Sequence, residues 1–419
     1  MDDVFYFGED GLRVDEVSIA RLAESVPTPF YVYGVSALVE RFRALERAFE
    51  SFAHLHCVAL KANSQPALLR PLVAEGAGAE VVSGAELALA LALGFPPSRI
   101  VFSGVGKTER ELRAGLEADI RMFLVESETE LSVLNELAAS DGRKARVALR
   151  LNLDIDPRTH PHIATGVSTA KFGVDAVEAE RLYAAHKDFA HLELVGIHSH
   201  IGSQVTSIEP LAENACMLAE WVRKLRDQGV PLRYVDIGGG IGIPYEGEET
   251  PSFDTYAERV IEPLAELDVE ILTEPGRVLL GPVGAFIVRV LYVKKVHGHN
   301  YAVVDAGIND LIRPAFYNAY HRVVPVAGSG SGATKPVDVV GAVCESSDVF
   351  ARNRELPELS RSDLLAILDT GAYGFVMASN YNLRPRPAEV VVEGSAHRIV
   401  RAAETERELV SRELGKANA

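Results

Sequence analysis

Apolar and polar positions alternate along the chain with two different periods. Residues 38–52 carry an apolar stripe with helical spacing, formed by Leu38, Phe42, Leu45, Phe49 and Phe52. From about residue 30, longer helix-like stretches follow short β-rich runs, which end near Lys61, Val82, Ser103, Val125, Leu151, His200, Ile237 and Thr273. Eight such units in one stretch predict an α/β fold with a parallel (β/α)8 TIM-type barrel, in preference to a doubly wound sheet.

Three of the strand-to-helix junctions carry a capping-box pattern, in which glutamate follows a hydroxyl residue by three positions. The pairs are Ser83 with Glu86, Thr108 with Glu111, and Ser127 with Glu130. Each hydroxyl can accept a hydrogen bond from a free amide at a helix start, and each glutamate can return the bond. The pattern predicts helices that begin directly after strands.

The sequence pattern changes after about residue 280, where β-rich runs follow one another with few helical stripes between them. They read AFIVRVLYVKKV, YAVVDAG, PVDVVGAV, DLLAILDT and AEVVVE, and the stretch GSGSG at 328–332 indicates a loop. We therefore predict two domains, a barrel over residues 34–280 and a C-terminal β domain over 281–419 that residues 1–33 complete.

Composition and charge exclude several function classes. The 419 residues are 47% hydrophobic and 24% charged, with a net charge of −17 and no basic run, so we expect no nucleic-acid partner. No apolar run reaches membrane-spanning length, and the start MDDVFYFGED is unlike a signal peptide, so we expect no membrane partner. Three separated cysteines give no zinc-site pattern and indicate reduced thiols in the cytoplasm.

Chemically unusual residues collect at the predicted strand ends, which in a barrel surround one active site. Lys61 follows the first strand in VALKANSQ, and Glu80 lies at the second. The last three strands contribute His198, His200, Ser203, Gln204, Gly238, Gly239, Gly240, Glu274, Gly276 and Arg277. Taken alone, Lys61 could be an ordinary solvated amine at a strand end.

The position of the glycine run favours a phosphate site. Phosphate sites in barrels usually form after strands seven and eight, and glycines let backbone amides approach an anion. Arg277 on the next loop and Ser203 would complete the cradle. A tight glycine turn beside a solvated arginine is the alternative.

A phosphate cradle, a strand-end lysine and a carboxylate together indicate pyridoxal 5'-phosphate (PLP). Lys61 would carry the cofactor, and Glu274 would keep its pyridine nitrogen protonated so that the ring accepts electrons. His200 would lie flat against the ring, although a satisfied core histidine is the alternative for this residue.

These residues lie in sequence pieces that resemble the fold-type III PLP-dependent decarboxylases. The pieces, in family order between residues 28 and 395, are ALKAN, HIGSQ, GGGIG, EPGR, RPAFYNAYH, CESSD and GAYG. Two stretches, THPHIATGVSTAKFG at 159–173 and INDLIRPAFYNAYH at 308–321, resemble the branch that acts on diaminopimelate. The resemblance implies an alanine-racemase-like fold and conversion of meso-2,6-diaminopimelate to L-lysine and carbon dioxide, the last step of lysine biosynthesis.

The resemblance also implies a homodimer with shared active sites and a grip on the substrate's far end. Arg277, Arg313 and Tyr317 would hold the distal carboxylate, as two guanidiniums and a phenol can. Glu345 would reach across the dimer interface and bind the distal amino group, and Tyr373 would contact phosphate and substrate.

Cys344 would cross the same interface and donate a proton to the product, as the resemblance implies. From the residues alone, Cys344 could be a buried core thiol, and Tyr373 a packed aromatic. The chain departs from the family at Val58, Glu80 and Ser347, where an aromatic residue, Asp and Gly are common. Glu80 would contact the cofactor-bearing Lys61 with one methylene more than Asp.

Three alternatives remain open. A related enzyme could decarboxylate another amino acid, such as carboxynorspermidine or a siderophore intermediate. A racemase of the same fold usually has Arg where this chain has Glu274. A non-catalytic homologue can lose its cofactor anchors, whereas this chain keeps Lys61, the glycines and Glu274.

Overall fold

A computed structural model describes residues 4–160, 163, 165–328 and 333–415. The chain divides into two compact units. The barrel unit comprises Arg41–Pro244 and Glu248–Val278, and the second unit comprises Met1–Glu40, Tyr245–Gly247 and Leu279–Ala419. The predicted domain boundaries at residues 34 and 280 stay a prediction.

The N-terminal elements form a small antiparallel sheet and then lead to a longer helix. They are β1 (Phe5–Gly8), β2 (Gly11–Val14), β3 (Val17–Ser18), α1 (Ile19–Ser25), β4 (Phe30–Gly34) and α2 (Val35–Phe49). The stripe predicted over residues 38–52 lies on α2, where Leu38, Phe42, Leu45 and Phe49 are buried. Phe52 lies beyond the end of the helix, so its predicted place on the stripe is wrong.

Eight parallel strands close into the predicted barrel. They are β5 (His54–Ala59), β6 (Gly78–Val81), β7 (Ile100–Phe102), β8 (Met122–Val125), β9 (Ala145–Arg150), β10 (Leu192–His198), β11 (Tyr234–Asp236) and β12 (Glu270–Thr273). The barrel closes where β12 pairs with β5, with Ile271 opposite His54 and Thr273 opposite His56. The predicted strand ends lie within two residues of the observed ones, and the largest differences are at Lys61 and His200.

A helix follows each barrel strand. The helices are α3 (Pro66–Ala74), α4 (Gly84–Leu93), α5 (Glu109–Ala118), α6 (Glu128–Ser140), α7 (Ala176–Ala184), α8 (Ile208–Asp227), α9 (Phe253–Ile261) and α10 (Arg277–Leu280). No helix in the described parts of the chain is long and apolar enough to cross a membrane.

The three predicted capping boxes form to different extents. Ser83, Thr108 and Ser127 each accept a hydrogen bond from the amide three residues on. Only Glu111 returns the bond to its own cap residue. Glu86 and Glu130 instead accept hydrogen bonds from the amides of Val82 and Glu126, each of which directly precedes the cap residue. At these two helices the cap hydroxyl therefore bonds as predicted, but the glutamate does not bond to the cap residue.

The second unit is built mainly from a nine-stranded sheet that β4 joins. Its later elements are β13 (Gly284–Val296), β14 (His299–Val304), α11 (Arg313–Tyr317), β15 (Val323–Pro325), β16 (Lys335–Val340), β17 (Val349–Leu356), β18 (Leu364–Ile367), β19 (Ala388–Glu393), β20 (Ala396–Arg401) and α12 (Glu406–Glu413). Each of the five predicted β-rich runs contributes a strand. Residues 329–332 of the predicted 328–332 loop lie outside the described residues.

Strand β4 explains why the N-terminal residues complete this sheet. It pairs antiparallel with β13 and parallel with β19, so it is a central strand, and all five of its residues are buried. Burial of a Val, Leu or Phe side chain contributes about 1.5–3 kcal/mol. The apolar run at residues 30–33 therefore stabilises the sheet from both faces.

Candidate active site

Lys61 lies just past the carboxyl end of β5, in the short 3-10 turn Leu60–Ala62. Its Nζ lies 2.8 Å from Glu80 Oε1 at the end of β6. The Glu80 side chain is fully buried, whereas that of Lys61 is 34% exposed. Ser103 donates a hydrogen bond to the same Glu80 oxygen. The longer Glu80 side chain thus keeps its contact with an amine that an incoming molecule can reach.

Three buried titratable groups lie together at the ends of β10, β11 and β12. Glu274 Oε1 lies 3.5 Å from His198 Nε2, and neither atom has a hydrogen-bond partner among the described residues. Asp236 accepts a hydrogen bond from the Gly238 amide at 2.9 Å through one oxygen, and its other oxygen has none. The group therefore presents unpaired oxygen and nitrogen atoms inside the barrel.

Burial controls the protonation of these groups. Loss of hydration raises the pKa of Glu274 well above its usual value, and the nearby Asp236 raises it further. Burial also raises the pKa of Asp236 to about 7, with a further contribution from Glu80. Burial and the positive Arg150 lower the pKa of His198 well below its usual range, so this imidazole is neutral.

The glycine run after β11 fits tightly between two other loops. Gly238 and Gly240 have φ values of 69° and 112°, which favour glycine. A Cβ at Gly238 would lie 2.7 Å from His200 Nδ1, and one at Gly240 would lie 2.6 Å from the Gly202 oxygen. A Cβ at Gly239 would collide with the Glu274 carbonyl. The run therefore forms a cradle that any side chain would fill.

His200, Ser203 and Arg277 surround this run. The Gly239 amide donates to His200 Nδ1 at 3.0 Å, so the neutral ring carries its proton on Nε2. Burial and the nearby Lys61 lower the pKa of His200 well below its usual value. Arg277 Nη2 and Nε donate to Ser203 Oγ at 3.0 and 3.3 Å. The structure thus brings His200, Ser203 and Arg277 together around the glycine run.

These residues fit PLP. The orphaned Glu274 oxygen matches a protonated ring nitrogen, and the glycine cradle beside Ser203 and Arg277 matches a phosphate. The reachable Lys61 amine matches a carbonyl carbon.

The loop at 159–173 contacts the ends of neighbouring strands. Thr165 Oγ1 donates to the His200 oxygen at 2.8 Å, and the Gly173 amide donates to Glu126 Oε2 at 3.1 Å. Residues 161, 162 and 164 lie outside the described residues.

Sequence reasoning missed several residues of this site. Asp236 directly precedes the glycine run at a strand end, and this position could have identified it as a site residue from the sequence. Ser103 also stands at a predicted strand end. The buried pair of Arg150 and Glu126, 3.2 Å apart, could not be predicted from the local sequence, because Arg150 ends β9 and Glu126 directly follows β8.

The remaining predicted residues belong to the second unit. Arg313 is buried, and its Nη1 donates to His321 Nε2 at 2.7 Å. His321 Nδ1 donates to the Leu368 oxygen at 2.8 Å, and the Arg313 guanidinium lies 4.7 Å from the Tyr245 ring centre. These contacts fix the guanidinium in one orientation. Tyr317 ends α11 and is half-buried.

Cys344 and Glu345 are both exposed on this chain, so the alternative of a buried core thiol at Cys344 is wrong. The Cys344 amide donates to Asn382 Oδ1 at 3.0 Å. Tyr373 has a φ of 57°, a conformation that costs a non-glycine residue energy and that often marks functional positions. The catalytic and binding roles of these residues stay predictions.

Comparison with known proteins gives a consistent result. The family described as pyridoxal-dependent decarboxylase, pyridoxal binding domain, matches residues 35–281. A diaminopimelate decarboxylase of Aquifex aeolicus is 45% identical over 94% of this chain and 93% of its own length. One from Pseudomonas aeruginosa is 42% identical over 98% of this chain and 99% of its own length.

Solved structures give the same picture. Diaminopimelate decarboxylase from Helicobacter pylori, complexed with L-lysine, matches with a TM-score of 0.91 and 41% identity over 94% of this chain and 99% of that chain. The M. jannaschii enzyme in co-complex with L-lysine matches with a TM-score of 0.93 and 35% identity over 98% of each chain. The likeness therefore covers both compact units.

Proposed function

The chain belongs to the diaminopimelate decarboxylase family of PLP-dependent decarboxylases, and from this we propose how its residues convert meso-2,6-diaminopimelate to L-lysine and carbon dioxide. The family is pyridoxal-dependent, which confirms the predicted cofactor and enzyme class. The observation that carries the proposal is the contact of the reachable Lys61 amine with buried Glu80, in a barrel that also presents one Glu274 oxygen with no hydrogen-bond partner among the described residues.

Lys61 and Glu274 are proposed to work at opposite ends of the cofactor ring. PLP, when bound, supplies an electron-poor ring that accepts the electron pair left when the bond to the departing carboxylate breaks. Lys61 holds the cofactor covalently, and Glu80 positions its amine through the 2.8 Å contact. Glu274 holds a proton at the ring nitrogen, because its buried oxygen lacks another partner.

The remaining barrel residues orient the cofactor. The Gly239 amide fixes the His200 ring, which is proposed to lie flat against the cofactor. Arg277 and Ser203, already joined by hydrogen bonds, are proposed to bind the phosphate with Gly238, Gly239, Gly240, Gly276 and Tyr373. Backbone amides and a guanidinium together supply charge-assisted hydrogen bonds to a dianion.

Residues of the second unit are proposed to recognise the substrate's far end. Arg277, Arg313 and Tyr317 bind the distal carboxylate, and Tyr373 also contacts the substrate. Glu345 of the partner subunit binds the distal amino group. This grip selects a diamino-dicarboxylic acid over ornithine, which has no second carboxylate to fill it.

Cys344 of the partner subunit is proposed to complete the reaction. The bond between the substrate carbon and the departing carboxylate breaks, and carbon dioxide leaves without the electron pair of that bond. The Cys344 thiol then donates a proton to the carbon that has lost carbon dioxide. The proposed setting is a cytoplasmic homodimer, in which Cys344 and Glu345, both exposed on their own chain, serve the neighbouring site.

Carbon dioxide release by the purified chain with PLP tests the proposal. The substrates are meso-diaminopimelate, its LL isomer, L-lysine, L-ornithine and carboxynorspermidine. We expect release from the meso compound alone, with an equal amount of L-lysine. Lys61→Ala should lower kcat by more than about a thousandfold, because covalent catalysis is lost.

The exposed Lys144→Ala is the matched control, since it removes one amine at the amino end of β9, away from the carboxyl ends of the strands where the site lies. Its turnover should equal that of the parent chain. Release only from another substrate would show that the Arg313 and Tyr317 grip was misinterpreted. Normal turnover by Lys61→Ala would reject the assignment of the cofactor lysine.

A further inference from the structure

Three titratable side chains lie together on the outer wall of the barrel, beside α2. Glu46 on α2 and His54 and His56 on β5 each bring one oxygen or nitrogen within 4.8 Å of the others. Side chains alternate along a strand, and Leu55 and Cys57 belong to the apolar cluster inside the barrel. The two histidines therefore face outward, towards α2.

The hydrogen bond of His54 to the backbone fixes its tautomer. His54 Nδ1 lies 2.8 Å from the Phe52 carbonyl oxygen, which can only accept, so Nδ1 carries the proton. The neutral ring then has its lone pair on Nε2, which lies 3.3 Å from Glu46 Oε2. Two acceptors cannot bond to each other, so this contact requires a positive charge between them, either a proton or a metal ion.

His56 can supply a second lone pair on Nε2 when its Nδ1 donates to the Thr273 hydroxyl, which is able to accept. Its Nδ1 lies 2.7 Å from Thr273 Oγ1, and its buried Nε2 has no hydrogen-bond partner in the described chain. Burial lowers the pKa of His56 to about 4, although the Leu45 carbonyl near the ring opposes this shift, so the ring is neutral near pH 7. Phe49 meets the ring edge-on at 4.9 Å between centres.

We propose that Glu46, His54 and His56 bind a divalent transition-metal ion of the zinc type, through one carboxylate oxygen and the two Nε2 atoms. Bonds of about 2.0–2.1 Å in a tetrahedral site place neighbouring ligands about 3.3 Å apart. The observed separation of Glu46 and His54 is 3.3 Å. Imidazole with carboxylate suits zinc and its neighbours rather than magnesium or calcium.

The surroundings match those of a metal site. The hydrogen bonds at Nδ1 of both histidines orient the rings, as the partners of metal-bound histidines do. The Glu46 side chain is 37% exposed, which gives an ion a path from solvent and leaves room for water as a fourth ligand.

The position of the site gives it a structural role. His56 stands opposite Thr273 in the pairing of β5 with β12, where the first and last strands close the barrel. A metal ion would join α2 to this seam. Because the unfolded chain lacks the preformed site, metal binding stabilises the folded barrel.

Protons compete with the metal at this site. Burial alone would lower the pKa of His54, but its hydrogen bonds to Glu46 and the Phe52 carbonyl, together with the negative charges of Glu46 and Glu270, raise the pKa above its usual value. The other charged groups that act on the cluster are Arg99, which acts on Glu46, and Glu270, which acts on His54. Metal affinity should therefore fall as the pH drops and His54 takes a proton.

Zinc binding to the PLP-loaded enzyme tests the site. The holoenzyme is used because the other His–carboxylate group, His198 with Asp236 and Glu274, belongs to the candidate active site. The protein is dialysed against a chelator, titrated with zinc chloride, and measured for bound zinc and thermal unfolding midpoint. The parent chain should bind about one zinc with a raised midpoint.

Two variants with the same change of charge distinguish this site from scattered binding. Glu46→Gln should weaken zinc binding by at least about 100-fold and abolish the midpoint shift, whereas the exposed Glu50→Gln should behave as the parent. Replacement of buried His56 risks the fold, so the test uses the half-exposed Glu46. A parent chain that binds no zinc, or equal binding by both variants, would overturn the proposal. The readouts do not depend on catalytic activity or on the proposed function.

Discussion

At the residue scale, the barrel interior concentrates carboxyl groups that lack full hydrogen bonding. Glu80 is paired with Lys61 and Ser103 through one oxygen, and its second oxygen, like one oxygen each of Asp236 and Glu274, has no hydrogen-bond partner in the described chain. A buried carboxylate without a partner is costly, so such groups hold protons to higher pH. The site is thus prepared for a positively charged or proton-bearing group.

Asp236→Asn should change how stability depends on pH. The folded pKa of about 7 lies above the ordinary aspartate value of 3.8, so between these values the folded protein binds more protons than the unfolded chain. Asp236 therefore makes the folded protein lose stability as pH rises through this window. Asparagine cannot ionise and can still accept the Gly238 hydrogen bond.

We expect the free energy of unfolding of cofactor-free Asp236→Asn, relative to that of the parent, to rise by about 3 kcal/mol between about pH 5 and pH 8. Urea unfolding at a series of pH values measures this difference. The exposed Asp227→Asn controls for the loss of one negative charge. Parallel pH profiles for Asp236→Asn and the parent would contradict the expectation.

At the element scale, a buried lysine joins neighbouring strand–helix units. Lys107, in the loop after β7, donates to the carbonyls of Gly104 and Leu124 at 2.8 and 2.7 Å and to Glu130 Oε1 at 2.7 Å. Its side chain is 1% exposed. All three ammonium protons therefore have acceptors, and the lysine ties the end of β8 to the start of α6.

Lys107→Met should destabilise the protein by about 3–5 kcal/mol, because it leaves the Glu130 carboxylate buried without its partner. The unfolding midpoint in urea measures the loss. Adding Glu130→Gln should recover part of it, since the unpaired charge is then removed.

The exposed pair of Arg181 and Glu128 provides the comparison for Lys107. Arg181→Met should change the midpoint little, because water already solvates both partners. Equal effects of Lys107→Met and Arg181→Met would show that the lysine does not hold the two elements together.

At the scale of the whole molecule, the chain passes four times between its two compact units. The barrel unit holds Lys61 and Glu274, and the second unit holds Cys344 and Glu345. The proposed homodimer lets the second unit of one chain serve the barrel of the other.

Mixed dimers test this sharing of residues between chains. Lys61→Ala and Cys344→Ala should each be inactive alone. Random mixing makes half of the dimers mixed, and each mixed dimer has one intact site of two, so the mixture should regain about a quarter of parental activity. No recovery, with mixed dimers verified by two affinity tags, would show that each chain supplies its own Cys344.

The sequence by itself determined the elements and the type of chemistry. Buried strands need continuous apolar runs and helices need an apolar stripe, so the order of these patterns along the chain predicts the strands and helices of the barrel. Lys61, the glycine run and Glu274 were also visible, because the site of a barrel lies at the strand ends. Periodicity fixes an element more firmly than its end, which is why Phe52 was wrongly placed on α2.

Only the tertiary structure decided which side chains meet. Lys107 finds its acceptors on other strand–helix units, and His54 and His56 find Glu46 on α2. Asp236 acquires its raised pKa from burial within the closed barrel. Hydrogen bonds, charge and burial depend on distances in space, and residues far apart in the chain leave no periodic signal of the contacts that folding creates between them.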